Sequence, residues 1–210
     1  MKSYVLLDHD GVLVDTEQWY FAAGRRALAE VGVELDEARY LRDMARGAGT
    51  WTQARAAGVD ETTIDRLRVA RDAYYQELLR TEPIEIDGVV DALAELAPYV
   101  RMAIVTTAKR ADFELIHAGR QIVPFMDFVL VREDYEHSKP HPEPYATALR
   151  RFAAAPEEAV VVEDSARGLA SAVAAGIDCV VVHHAFTASQ DFSAATHRIG
   201  SLSELKSLVL

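Results

Sequence analysis

Two carboxylates one residue apart, Asp8 and Asp10, end a short apolar run in Asp8-His9-Asp10-Gly11-Val12-Leu13-Val14-Asp15-Thr16. At a strand end such a pair repels unless a cation or a shared proton lies between. Hard oxygen ligands of this kind suit Mg²⁺. Gly11 lets the chain depart sharply, so backbone groups can approach the same centre. Alone, Asp-x-Asp-Gly equally describes a polar turn after a strand; what accompanies it decides. Ile104-Val105-Thr106-Thr107 closes a second apolar run in hydroxyls suited to a phosphoryl oxygen. Ser138-Lys139-Pro140-His141-Pro142 sets a lysine in a stiff loop, where a cation could neutralise a phosphoryl group. The other three of the four lysines (Lys2, Lys109, Lys206) read as surface residues. Val160-Val161-Val162-Glu163-Asp164-Ser165 brings two more acids to a strand end, with Gly168 just beyond.

The elements that must position these groups alternate. Tyr4–Leu7, Met102–Thr106, Phe128–Val131, Ala159–Glu163 and Cys179–Val182 have the length and apolar content of buried parallel strands. Ala111–His117, Glu143–Phe152 and Ser165–Ala175 have helical spacing, two of them stopping at Gly119 and Gly176. This alternation predicts an α/β fold: a Rossmann-like parallel sheet with helices on both faces, and ligands beyond the carboxyl ends of the strands. From Asp15 to about Asp87 only helical stretches occur: Gln18–Val31, Glu37–Met44, Thr52–Ala57, and Thr62–Leu79 with Ile64, Leu67, Tyr74 and Leu78 as its stripe. The expected organisation is a core of residues 1–15 and 87–210, and an inserted all-helical cap of residues 16–86 that stands over the sheet edge like a lid.

Half of the 210 residues are apolar, as in an ordinary globular protein, and the net charge of −11 argues against nucleic acid or an anionic membrane as partner. No apolar stretch nears the roughly 20 residues of a membrane span, and Met1–Leu7 is too short for a signal-peptide core, so a cytoplasmic protein is expected. Cys179, the single cysteine, reads as a core residue.

The four segments, in this order, resemble the motifs of the haloacid dehalogenase-like superfamily, in its group with a helical cap after the first strand; the resemblance covers nearly the whole chain. It implies a phosphatase for a small phosphorylated molecule, working through a phosphorylated Asp8 with Mg²⁺ as cofactor. Asp8 would be the nucleophile and Asp10 the acid and then the base. Thr106 would hold a phosphoryl oxygen, and Lys139 would neutralise Asp8 and the transferring group. Asp8, Asp164 and the main-chain carbonyl of Asp10 would ligate the metal, with Glu163 a direct or water-mediated partner. Thr107, Arg46 beside Gly47-Ala48-Gly49, and Tyr20 are the candidates for substrate contact. The resemblance leaves a monomer or a homodimer open.

A sugar phosphomutase is the nearest alternative, weakened because similar mutases carry a histidine where Tyr20 stands. Phosphonate cleavage needs a cap lysine, and Thr16 to Gly88 contains none; dehalogenases lack the acid at Asp10. A phospho-receiver module would have adjacent acids and no cap. The remaining polar residues have plainer readings. His183 and His184, as strand neighbours, face apart and do not share a metal. His9 points away from the acids, His137 and His141 flank Lys139 at the entrance, and the cap aromatics Trp19, Tyr20, Phe21 and Trp51 are core.

Overall fold

The computed structural model describes residues 2–45 and 48–210; Arg46 lies outside the described residues. In chain order the elements are β1 (Tyr4–Leu7), α1 (Glu17–Ala29), α2 (Glu37–Ala45), α3 (Thr50–Ala56), α4 (Glu61–Thr81), α5 (Val89–Leu96), β2 (Arg101–Val105), α6 (Arg110–His117), β3 (Phe128–Leu130), α7 (Glu143–Phe152), β4 (Ala159–Glu163), α8 (Ala166–Ala174), β5 (Asp178–Val182), β6 (His197–Ile199) and α9 (Lys206–Val209).

The chain divides into two compact units, residues 1–15 with 85–210, and residues 16–84. The first holds a six-stranded, all-parallel sheet of order β3-β2-β1-β4-β5-β6. Its architecture is the α/β, Rossmann-like one. β1 lies in the middle, Leu7 pairing with Ile104 and Val162, so the chain leaves β1, β2 and β4 at one edge. Val5, Leu6, Leu7 and all of β4 are buried, as strands covered on both faces require. Cys179 belongs to the same core, and burial pushes its thiol up, which makes it an inert packing group. Val14 and Glu85 form an antiparallel bridge where the chain leaves and rejoins this unit.

Three features differ from the sequence reading. β6 is an edge strand whose sole buried residue is Ile199, too short and polar for a periodicity signal. α5 precedes β2 and buries Val89, Ala92, Leu93 and Leu96. In α4 the buried stripe is Ile64, Leu67, Arg71, Tyr75 and Leu79, not Tyr74 and Leu78. Arg71 and Tyr75 lie about two and three turns from Ile64, and a 3.6-residue period keeps them in phase; a buried arginine hides that phase from an apolar pattern.

The second unit packs α1 against α4, with Arg26–Glu77 and Arg66–Glu30 ion pairs along the contact. Tyr20 sits inside its aromatic cluster, edge-on to Tyr75 at 5.1 Å, with the Arg71 guanidinium 4.3 Å from its ring centre. Among the described residues no helix is long and apolar enough to cross a membrane.

Candidate active site

β1 ends at Leu7, and Asp8 follows with its backbone N–H still donating to Val162 of β4. The chain then turns: the N–H groups of Leu13 and Val14 both reach the carbonyl of His9. Gly11 has φ of 79°, a left-handed conformation open to glycine, and a Cβ there would lie 2.3 Å from Asp164 Oδ2. The glycine thus brings the Asp8–Asp10 loop against the acid at the end of β4.

Lys139, buried, is held by three acceptors. Its Nζ donates to Asp8 Oδ1 at 2.6 Å, Glu163 Oε1 at 2.7 Å and the Val105 carbonyl at 2.9 Å. Glu163 is fully buried and its oxygens are occupied. Oε1 also accepts the Tyr145 hydroxyl at 2.7 Å, and Oε2 accepts the Ser165 hydroxyl at 2.9 Å. That Ser165 oxygen in turn accepts the Gly168 N–H and caps α8.

The electrostatics follow. Burial, then the charges of Glu163 and Asp10, push Asp8 up to about 6 against the pull of Lys139. Burial pushes Glu163 the same way, but Lys139, Tyr145 and Ser165 outweigh it and hold the carboxyl below its ordinary value. Lys139 is opposed by burial and held above its ordinary value by Asp8 and Glu163. Burial sends Tyr145 well up, so it stays a hydroxyl donor.

Thr106 is fully buried at the end of β2, its Oγ1 accepting the Ala108 N–H at 3.0 Å and its carbonyl accepting the Tyr135 hydroxyl at 2.7 Å. Thr107 beside it is half-buried. Asp164 is buried, with Thr187 Oγ1 3.4 Å and His184 Nδ1 3.8 Å from its Oδ2. His184 Nε2 also lies 3.3 Å from Asp15 Oδ1. Asp8, Glu163 and Asp164 each present a carboxylate oxygen within 4.8 Å of the others.

Asp8, Lys139, Glu163 and Asp164 therefore converge, with Thr106 at the adjacent strand end, whereas Tyr20 belongs to the other compact unit. His9 departs from its expected direction. The strand stops before it, so alternation no longer applies, and its Nδ1 stands 3.3 Å from Asp10 Oδ2. Its Nε2 pairs with His117 Nε2 at 2.9 Å. Tyr145, His117, His184 and Thr187 were not singled out as site residues from sequence. Tyr145 lies on the apolar face of α7, His184 enters the sequence reading only beside His183, and His117 and Thr187 carry no local signal.

A parallel sheet with acids, a lysine and a hydroxyl at its carboxyl edge defines a hydrolase of the haloacid dehalogenase type, and comparison with known proteins agrees. The sequence profile of the haloacid dehalogenase-like hydrolase family matches residues 5–182, and the chain belongs to that family. It is 30% identical to the phosphorylated carbohydrates phosphatase of Thermotoga maritima, covering 85% of each chain. It is 29% identical to the fructose-1-phosphate phosphatase of Escherichia coli, over 85% of this chain and 95% of the other. The crystal structure of CbbY from Rhodobacter sphaeroides with xylulose-(1,5)bisphosphate superposes with a TM-score of 0.83 at 27% identity, covering 98% and 96% of the two chains. The protein is an enzyme of the family's phosphatase group.

Proposed function

We propose that this protein is a Mg²⁺-dependent phosphatase that hydrolyses a small phosphate ester through a phospho-aspartate on Asp8. The observation that carries the reading is the buried Lys139 bridging Asp8 and Glu163 at 2.6 and 2.7 Å. A lysine so fixed can offset both the nucleophile's charge and that of an incoming phosphoryl group. Asp8 attacks phosphorus, and Asp10 protonates the leaving oxygen, then takes a proton from the water that opens the acyl phosphate. Thr106 and Thr107, which follow β2, are the candidate hydroxyls for holding phosphoryl oxygens.

Mg²⁺ fits the donor set. The carboxylates outnumber the single lysine, and their oxygens are hard. Asp8, Asp164 and the Asp10 carbonyl would hold the ion, which supplies charge neutralisation for the phosphoryl oxygens. Glu163 has both oxygens taken by donors, which favours a different role for it, that of positioning Lys139. The relatives named above as phosphatases or bound to a sugar bisphosphate make sugar phosphates the class to try first. Arg46 and Tyr20 remain candidates for substrate contact from the helical unit, and a cytoplasmic setting is the proposed one.

The test is phosphate release from a panel of phosphate esters with Mg²⁺ and with excess EDTA, comparing wild type with Asp8→Asn. Mg²⁺-dependent release that vanishes in Asp8→Asn is expected, together with an acyl phosphate in acid-quenched wild type. Turnover by Asp8→Asn near the wild-type rate would remove Asp8 from its role.

A further inference from the structure

Flanking Lys139 in the chain, His137, His141 and Glu143 bring their ligating atoms within 4.8 Å of one another, a donor set unlike the all-oxygen centre around Asp8. The carboxylate is prepared: Oε1 of Glu143 accepts the Glu136 N–H and Oε2 the His137 N–H, both at 2.9 Å. These backbone donors and the His137 ring hold it down to about 2, so it is ionised at any ordinary pH. The imidazoles stack with centres 4.5 Å apart. Both are about half exposed, so an ion can reach them from solvent.

The proton inventory sets what an ion must displace. Glu143 can only accept, so the 2.8 Å contact from His137 Nδ1 fixes the proton on that nitrogen. His141 Nδ1 accepts the Glu143 N–H at 3.2 Å, so an ion on that nitrogen must displace this backbone donor. We propose that His137 Nδ1, His141 Nδ1 and Glu143 Oε2 form a second metal site, for a divalent ion of the zinc class, on the loop that carries Lys139. Two imidazoles with one carboxylate suit Zn²⁺ or Co²⁺, whereas Mg²⁺ prefers oxygen donors. Ligands of a tetrahedral ion with bonds near 2.0–2.1 Å stand about 3.3 Å apart. The His137–Glu143 contact of 2.8 Å must open and the His141–Glu143 separation of 3.9 Å must close, each by roughly half an ångström, within reach of exposed side chains. On binding, the His137 proton moves from Nδ1 to Nε2, so neutral rings release none, and solvent takes the fourth position. The ion would tie residues 137, 141 and 143 together around Lys139. The site does not depend on the phosphatase reading.

The experiment is a Zn²⁺ titration by calorimetry in millimolar Mg²⁺, with wild type, His137→Gln, His141→Ala and Asp8→Asn, each checked for folding by its thermal transition. One equivalent of Zn²⁺ should bind wild type and Asp8→Asn despite the Mg²⁺. Affinity should fall at least tenfold in each histidine variant, and Zn²⁺ should raise the Tm of wild type but not of His141→Ala. No saturable binding, or binding lost in Asp8→Asn but kept in His141→Ala, would overturn the proposal.

Discussion

A Cβ placed on Gly168 would lie 1.8 Å from the carboxyl of Glu163, so the first turn of α8 and the acid at the end of β4 fit together only because that position is glycine. The Gly168 N–H is meanwhile fixed by Ser165, whose hydroxyl donates to the same carboxylate. The turn therefore cannot yield without loosening Glu163.

Gly168→Ala should displace Glu163 and, with it, Lys139. Overpacking of this kind costs about 1–3 kcal/mol. We expect a lower denaturation midpoint and kcat down by at least tenfold, read from urea titrations and steady-state rates. Wild-type kcat in a destabilised variant would separate the lysine's position from Glu163.

Tyr145→Phe removes one donor from the buried Glu163 oxygen that Lys139 shares. An unsatisfied buried acceptor costs about 1–3 kcal/mol, but here Lys139 still donates, so the lower end is expected. Stability should fall by about 1 kcal/mol, with kcat affected more than KM, because the hydroxyl acts through Lys139. A rise in KM alone would point to ground-state binding instead.

The Asp8 carboxyl stands at about 6 in the folded protein against 3.8 for the free group. Between those values the native state keeps a proton that the unfolded chain has lost, so metal-free stability falls as pH rises from about 4 to 6. Asp8→Asn should remove that decline and, in EDTA at pH 7.5, melt higher than wild type by the equivalent of about 1–3 kcal/mol. Mg²⁺ affinity of wild type should weaken as pH falls through 6, because proton and ion compete for the same carboxylate. A variant melting lower than wild type would mean that its pairing with Lys139 outweighs the burial of Asp8.

His117 has the opposite sign. Burial first, then His9 and Arg120, push it down to about 3 from 6.5. The unfolded chain gains a proton below pH 6.5 that the native state refuses, so this group lowers stability as pH drops from 6.5 towards 3. His117→Gln can still hydrogen-bond to His9 and should flatten that acid-side loss, measured as urea midpoints at pH 7 and 5. An unchanged pH 5 to pH 7 difference would remove His117 as its source.

The candidate site was legible because each motif is local: Asp8 and Asp10, Thr106, and Glu163 with Asp164 end short apolar runs, which a parallel sheet delivers to one edge, and Lys139 sits in a proline-bounded loop. Glu143–Phe152 was read with its observed limits, since a proline-bounded start and a regular apolar face leave little freedom. The α4 stripe slipped by one residue because Arg71 is buried against Tyr20, and no hydropathy pattern anticipates a buried guanidinium.

By itself the sequence determined the class of fold and the family, and it marked the acids, the lysine and the hydroxyls as the candidate site, because these depend on residue type and spacing within a few turns of chain. Tertiary structure alone decided that Glu163 is saturated by Lys139, Tyr145 and Ser165, that His117 stands behind His9, and that His184 reaches both Asp15 and Asp164. Each is a contact between side chains on separate elements, set by strand order and by how the helices and loops pack back onto the sheet. A hydrogen-bond partner more than a hundred residues away, as His117 is from His9, leaves no trace in local periodicity.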